Sequence, residues 1–479
     1  MVAQEPTAPV LPPSSNLTAR VKEIPASSNC TGPGYSVEGS EELRYTYSFV
    51  DNVFDQKKND LASYYTKWGR VLCILDETVH GFYGDSIRAY FKSHNIEPTL
   101  HIFKGGELNK NMDTMLDFVD AMDKFGLIRK EPVLVVGGGL ASDVAGYACA
   151  SYRRSTNYIR VGTTLIALID AAISIKVGIN HKKLKNRLGA YHAPMHTFLD
   201  FDFLKTLPEG QTRNGFAELM KISHCAEKHT WDLLVKYGPQ LVKTGFGRKE
   251  NGGNAELKNA ADEICRRAIL KMLQLESGNL HEIGLDRVIA SGHGISPTLE
   301  LAPFPPLRHG HAITVDMSYT ITMSHARGLL NDEERDEWFQ LAKEVGLTID
   351  HEKLDHTLLH ESVAAIMKTR DGLQRFVLAG PYGKCMFAND ISKKEFDDVL
   401  DKHKAYVKSK FPNYTGSGQD AYADAGDLGA DPEVLKAEKL KASQNGNSNG
   451  HSTANGTATT NGTNGHNNHF VKPTKVAVA

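Results

Sequence analysis

The 479-residue sequence has no apolar run long enough to cross a bilayer, which takes about 20 consecutive apolar residues, so no membrane span is expected. Nor does it carry a surplus of either charge: 55 Lys and Arg stand against 57 Asp and Glu, a formal net charge of −2. A nucleic-acid or membrane-surface binder presents a basic excess on some face, and no such partner is expected. The opening stretch MVAQEPTAPVLPPSSN has neither the basic nor the apolar region of a secretory leader. Cysteine is scarce, and Cys30, Cys73, Cys149, Cys225, Cys265 and Cys385 form no CxxC pair. Scattered through apolar stretches, they read as buried free thiols of a reducing compartment, and a cytoplasmic protein is expected. The glycosylation sequons at Asn16, Asn455 and Asn461 are then chance matches.

Apolar periodicity is missing from both ends. Residues 1–40 are rich in Pro, Ser and Ala, and Ser443 to His469 are almost entirely Asn, Gly, Ser, Thr and His. Such segments bury too little surface to offset their ordering entropy. Residues 1–40 and a low-complexity tail, 415–479, are therefore expected to be disordered. The overall composition, 41% hydrophobic and 23% charged, is that of an ordinary globular protein. Residues 41–200 alternate compact apolar runs, RVLCILDE (70–77), PTLHIF (98–103) and PVLVVGGG (132–139), with amphipathic helical stretches. That pattern predicts a parallel sheet covered on both faces, an α/β nucleotide-type domain. Residues 201–414 carry helical periodicity in GFAELMKISHCAEKHTWDLLVKYG, NAADEICRRAILKMLQLES, GHAITVDMSYTITMSHARG and SKKEFDDVLDKHKAYV, predicting a helical domain. A ligand cleft is expected between the two.

Gly137-Gly138-Gly139 end an apolar strand and open a helix, where backbone N–H groups can approach a pyrophosphate. The match to GxGxxG fails at its third glycine, where Ser142 stands, so a plain strand–helix turn stays open as the alternative. Asp76 ends an earlier strand and can take ribose hydroxyls instead. Glu218, in GFAELMK with Lys221 one turn on, joins His293 and His309 as a donor set suited to zinc. His311 competes with His309; His224 and His229 read as core or surface residues. A basic cluster holds Asp170, Lys176, Lys185 and Asn186, suggesting phosphate binding, while Lys182 and Lys183 read as a solvated loop.

Taken together these pieces resemble the sugar phosphate cyclases, the dehydroquinate synthase-like superfamily, over roughly residues 45–412. The ordered matches are GGELNK (105–110), GGGLASD, Arg154, GTTLIALID (162–170), KVGINHKKLKN, FAELMK, GHGISP and LRHGHA. The resemblance implies a Rossmann-like α/β N-terminal domain, an all-α C-terminal domain and an active site between them. It also implies NAD, a divalent metal (zinc or cobalt), a small sugar phosphate substrate and a homodimer. It makes Glu218, His293 and His309 the metal ligands. NAD contacts would come from Asp76, Glu107, Lys110, Gly138, Gly139, Asp143, Thr163, Thr164, Lys185, Asn186, Phe203 and Thr206. Lys176 falls on the usual proton-acceptor position, with Asp170, Lys221, Glu282 and Arg287 as further catalytic groups. Asp170, Lys221, Arg154 and Asn186 would contact substrate or its phosphate.

The departures narrow the resemblance. Where dehydroquinate synthases read R-x-x-L-N-x-G-H-T-x-G-H, this chain has Asp286, Ala290 and Pro297 at the arginine, asparagine and second histidine. The form resembles the cyclases of sedoheptulose 7-phosphate. Glu276, Ala290 and Thr369 match the subfamily that makes demethyl-4-deoxygadusol, in mycosporine biosynthesis. The 2-epi-5-epi-valiolone synthases typically have Leu, Asp and His there. The rivals are a 2-epi-5-epi-valiolone synthase, a 3-dehydroquinate synthase, a non-catalytic NAD-binding scaffold, and an iron-type alcohol dehydrogenase. The last normally shows an Asp and three His around its metal and no phosphate-binding lysines.

Overall fold

The structure, a computed structural model, describes residues 17–25, 33–182 and 184–447. Cys30, Lys183, the three sequon asparagines and the tail beyond Asn447 fall outside the described residues. The chain divides into two units at Leu435/Lys436.

The described chain begins with a correction. Residues expected to be disordered form an antiparallel ribbon, β1 (Leu17–Ile24) on β2 (Gly34–Glu41), with Val21 facing Val37. Arg20 and Lys22 both pair with Glu38. Cross-strand pairs of this kind stabilise a sheet through contacts that composition does not reveal.

The α/β domain follows. Its strands are β3 (Thr46–Phe49), β4 (Arg70–Asp76), β5 (Glu97–Phe103), β6 (Val133–Gly137), β7 (Tyr158–Gly162) and, after the hairpin β8 (Lys176–His181)–β9 (Leu184–Tyr191), β10 (His196–Leu199). Helices α1 (Glu77–Ser93), α2 (Met112–Phe125) and α3 (Gly139–Ser151) alternate with them. The sheet order is β3-β10-β7-β6-β4-β5, all parallel. The two-residue period of a strand sends Val71, Cys73 and Leu75 into one core and Leu72 and Ile74 into the other. The chain leaves β4 for β5 on one side and returns to β6 on the other. The ends of β4 and β6, Asp76 and Gly137, therefore flank a topological switch point, where open α/β sheets bind ligands.

The C-terminal domain is built on α4 (Glu209–Ala226), α5 (Lys228–Lys243), α6 (Ala255–Ser277), the short α7 (Ser296–Leu299), α8 (His309–Ala326), α9 (Asp332–Glu344), α10 (His356–Thr369) and, after a hairpin, α11 (Lys393–Lys410). Helices α4 and α8 are buried along nearly their whole length. The domain is helical as expected; that hairpin, β11 (Phe376–Ala379) with β12 (Cys385–Ala388), is a small two-stranded addition to it. Cys73, Cys149, Cys225 and Cys265 are buried free thiols, and Cys385 is half-buried.

A second correction concerns residues 415–435, expected to open a disordered tail. They form a strap. Arg213 pairs with Asp420, and Arg308 with Asp424 and Asp427. Ala423 donates its N–H to the Pro306 carbonyl, and Arg308 donates to that of Ala421. A short helix, α12 (Ala425–Leu428), then lies on the Gly105–Gly106 loop of the α/β domain. Gly106 has φ of 97°, and a Cβ there would meet Gly429 N at 2.0 Å. The last described helix is α13 (Pro432–Asn447). Few apolar residues hold the strap; charges matched to arginines over a hundred positions away do.

Candidate active site

Glu218 and His309 come together because α4 and α8 almost touch. Gly310 N donates to Asn214 Oδ1 at 3.0 Å, one turn before Glu218 on α4. His309 Nε2 lies 3.0 Å from Glu218 Oε1, and His293 completes a cluster whose donor atoms all lie within 4.8 Å of one another. His293 sits in a loop fixed from two sides. Asp316 of α8 accepts from Ile295 and Ser296 N–H, and Arg370 donates to the His293 carbonyl. His311 faces the other way, to Thr348, and burial pushes its imidazole down to about 3. His224 is buried against Met220 and Cys225, and exposed His229 pairs with Glu263.

A chain of charges runs through the cluster. Lys221 Nζ is 2.5 Å from Glu218 Oε2 and 3.1 Å from Asp170 Oδ2, at the end of a short π-helical turn, Ala167–Ala171. Burial alone would discharge Lys221; Asp170 and Glu218 instead raise its pKa. Burial disfavours the Glu218 carboxylate, but Lys221 and His309 hold it well below the usual range. On the far side His309 Nδ1 meets Glu300 Oε2 at 3.2 Å, and Glu300 Oε1 meets Lys185 Nζ at 2.5 Å. Burial works against charge on His309, yet its hydrogen bonds to Glu218 and Glu300 raise it to about 9. His293 is pushed down to about 3 by burial and by nearby Lys221, so it is neutral.

A second group lines a neighbouring pocket. Lys176, at the start of β8, donates to Glu282 Oε1 at 3.1 Å and lies 3.0 Å from Glu276 Oε1; Glu282 Oε2 also meets Arg287 at 2.5 Å. Burial would lower the Lys176 pKa, but Glu276 and Glu282 raise it. Ala290 closes a single turn, 288–290, in the loop before His293. Asp286, also on the lining of this pocket, pairs with Arg375.

Of the residues expected to face NAD, Asp76, Gly138, Gly139, Thr163 and Thr164 lie at the switch point. Asp76 Oδ1 caps α1 by accepting from Thr78 and Val79, and burial raises its pKa. Gly138 and Gly139 open α3, and Thr163 N donates to the Gly137 carbonyl. Thr164 Oγ1 accepts from Ala167 N. Lys110 pairs with Asp143 at 2.6 Å, and Glu107 accepts from Asn180, whose Oδ1 takes the Asn186 N–H. Thr206 shares a hydrogen bond with Tyr83, whereas the Phe203 ring packs in the core against Tyr83.

Two expected residues stand apart. Arg154 is exposed beyond the C-terminal end of α3, about 20 Å along a 13-residue helix from its glycine-loop end. Thr369 is exposed, its hydroxyl donating to the Ile366 carbonyl of its own helix. Sequence reasoning missed Asn180, Glu300, Asp316 and Arg370. A single acid inside an apolar stretch, as in LELAPF and ITVDMSY, was the available signal for Glu300 and Asp316.

The chain matches the 3-dehydroquinate synthase N-terminal family over residues 100–214 and its C-terminal family over 215–369. It is 47% identical over 388 residues to demethyl-4-deoxygadusol synthase of Trichormus variabilis, spanning 81% of this chain and 94% of that protein. The 2-epi-5-epi-valiolone synthase of Streptomyces hygroscopicus subsp. jinggangensis 5008, solved with NAD+ and Zn2+ bound, superposes with a TM-score of 0.71 at 35% identity. The match covers 76% of this chain and 98% of that one. A 2-deoxy-scyllo-inosose synthase complexed with carbaglucose-6-phosphate, NAD+ and Co2+ shares the fold, with a TM-score of 0.61 at 22% identity, covering 80% and 99%. The chain belongs to the sugar phosphate cyclases, the family of lyases that includes 3-dehydroquinate synthase.

Proposed function

We propose that the chain converts sedoheptulose 7-phosphate to demethyl-4-deoxygadusol, with NAD, a divalent metal and loss of phosphate, as the opening step of mycosporine biosynthesis. The observation that carries this reading is Glu276 Oε1 lying 3.0 Å from Lys176 Nζ. A carboxylate stands beside the candidate proton acceptor where the valiolone-forming enzymes typically have leucine. The 47% identity to a demethyl-4-deoxygadusol synthase supports the same choice.

Glu218, His293 and His309 fit a divalent ion. Glu218 is buried with Oε1 turned to His309 Nε2, and His293 Nδ1 faces the Ser291 carbonyl, leaving Nε2 as a free donor atom. When bound, NAD supplies reversible hydride transfer and the ion polarises a substrate oxygen. The rest is the work of the side chains. Lys221 uses its N–H groups on Glu218 and Asp170 and has a third to offer a substrate oxygen. Oxidation of a secondary alcohol acidifies the neighbouring C–H. The proton from it falls to Lys176, Glu276 and Glu282 as a unit, because charged Lys176 must pass its own proton to a carboxylate before taking another. Loss of that proton expels phosphate, the carbonyl formed by oxidation is reduced again by return of the hydride, and an intramolecular aldol closes the ring. Glu276 gives the unit one more ionisable group for the additional loss of water. Arg287 Nε, buried without a hydrogen-bond partner, is a donor for substrate oxygens.

Arg154 lies too far from its own cleft to bind substrate there, so the proposal includes a homodimer in which it serves the second copy. A cytoplasmic location completes the reading; among the described residues no helix is long and apolar enough to cross a membrane.

The test is stoichiometry. With sedoheptulose 7-phosphate, NAD and zinc, the purified protein should release one phosphate per substrate consumed, with no accumulation of NADH. Net NADH formation without phosphate release would overturn the proposal in favour of a dehydrogenase.

A further inference from the structure

Glu300 has two jobs in this structure, and no sequence motif announces either. It is buried, at 7% exposure, just beyond the end of α7. One carboxylate oxygen, Oε2, lies 3.2 Å from His309 Nδ1; the other, Oε1, lies 2.5 Å from Lys185 Nζ. The backbone holds it in place. Leu307 N donates to the Glu300 carbonyl at 2.9 Å, closing the loop that leads into His309. Lys185 in turn lies 3.4 Å from Glu107, on the α/β domain.

We propose that Glu300 is the positioning residue of the metal centre, holding His309 with its proton on Nδ1 so that Nε2 is free to ligate. The inference rests on reading Glu218, His293 and His309 as a metal site. An imidazole that ligates through one nitrogen needs an acceptor for the N–H on the other, and a carboxylate fills that place well. His293 has only the Ser291 carbonyl in the equivalent position. Glu300 also ties the ligand on α8 to Lys185 on β9, so one side chain links the metal centre to the other domain across the cleft.

Removing such a partner typically costs about 10–100-fold in metal affinity. Two substitutions separate its roles: Glu300→Ala deletes the acceptor, whereas Glu300→Gln keeps a carbonyl oxygen for His309 and gives up only the charge facing Lys185. The experiment is zinc binding to metal-stripped protein by chelator competition, with circular dichroism as the check on folding. Zinc affinity should fall about 10–100-fold in Glu300→Ala and stay within about threefold of wild type in Glu300→Gln. Wild-type affinity in a folded Glu300→Ala, or equal losses in both variants, would overturn the assignment. Failure of the wild-type protein itself to take up zinc would instead remove the metal site on which the inference stands.

Discussion

Gly310 of α8 lies so close to α4 that a Cβ at that position would sit 2.5 Å from Asn214 Cα. This approach sets the spacing of Glu218 and His309, one on each helix. Backbone cannot yield as a side chain does, so Gly310→Ala must push the helices apart. Overpacking of this kind costs about 1–3 kcal/mol. The variant should show a lower thermal midpoint and weaker zinc binding together. Loss of stability with unchanged zinc affinity would separate the helix contact from the metal centre.

The strap predicts that the chain is not indifferent to its C-terminal region. Ending it at Tyr414 removes Asp420, Asp424 and Asp427 and leaves the guanidinium groups of buried Arg213 and largely buried Arg308 short of partners. Breaking a buried pair by deleting one member costs about 3–5 kcal/mol, and less here because Asp420 and Asp424 are more than half exposed. A clear fall in thermal midpoint is expected. Asp424→Asn with Asp427→Asn should reproduce part of it. Equal midpoints for the truncated and full chains would show that the strap adds nothing.

His224 gives stability a definite pH dependence. Burial lowers its pKa from 6.5 to about 4, so the unfolded chain takes up a proton there that the folded one refuses. A depressed histidine contributes stability that is present above 6.5 and lost as pH falls toward 4. At pH 5 the loss is about 2 kcal/mol, at 1.36 kcal/mol per pH unit below the unfolded value. Denaturant unfolding of wild type and His224→Gln at pH 7 and pH 5 checks this: the variant should lose less between the two.

Lys176 should matter far more than Lys182. The first faces Glu276 and Glu282; the second is exposed in a turn with φ of 55°. A positioned acid–base group contributes about 10²–10⁴-fold. Turnover should drop by roughly that factor in Lys176→Ala and barely change in Lys182→Ala. Similar rates would reduce the cluster to a solvated loop.

Glu276, Ala290 and Thr369 carry the comparison with the valiolone-forming enzymes, and the structure ranks them. Glu276 touches Lys176 and Ala290 precedes the His293 loop, whereas Thr369 is exposed. Glu276→Leu with Ala290→Asp should therefore move the product toward 2-epi-5-epi-valiolone as far as the triple variant that adds Thr369→His. An active triple variant making only demethyl-4-deoxygadusol would show that these positions do not govern the outcome.

The sheet was legible because local rules produce it: the compact apolar run RVLCILDE places β4, and Gly137 marks where β6 gives way to α3. Glu218 and Lys221 were legible as one helix face. The ribbon was not, because Arg20 and Lys22 find Glu38 only once β1 and β2 pair. Nor was the strap, whose aspartates look like those of any polar tail until Arg213 and Arg308 are placed beside them. Glu300, Asp316 and Arg370 act on His293 and His309 from other elements, and spacing along the chain carries no trace of that. Composition predicted disorder where long-range charge pairing decides.

The most direct test of the central claim is the mass of the product formed by purified protein from sedoheptulose 7-phosphate with NAD and zinc. The account predicts demethyl-4-deoxygadusol, one water lighter than 2-epi-5-epi-valiolone. A product with the mass of 2-epi-5-epi-valiolone would contradict it.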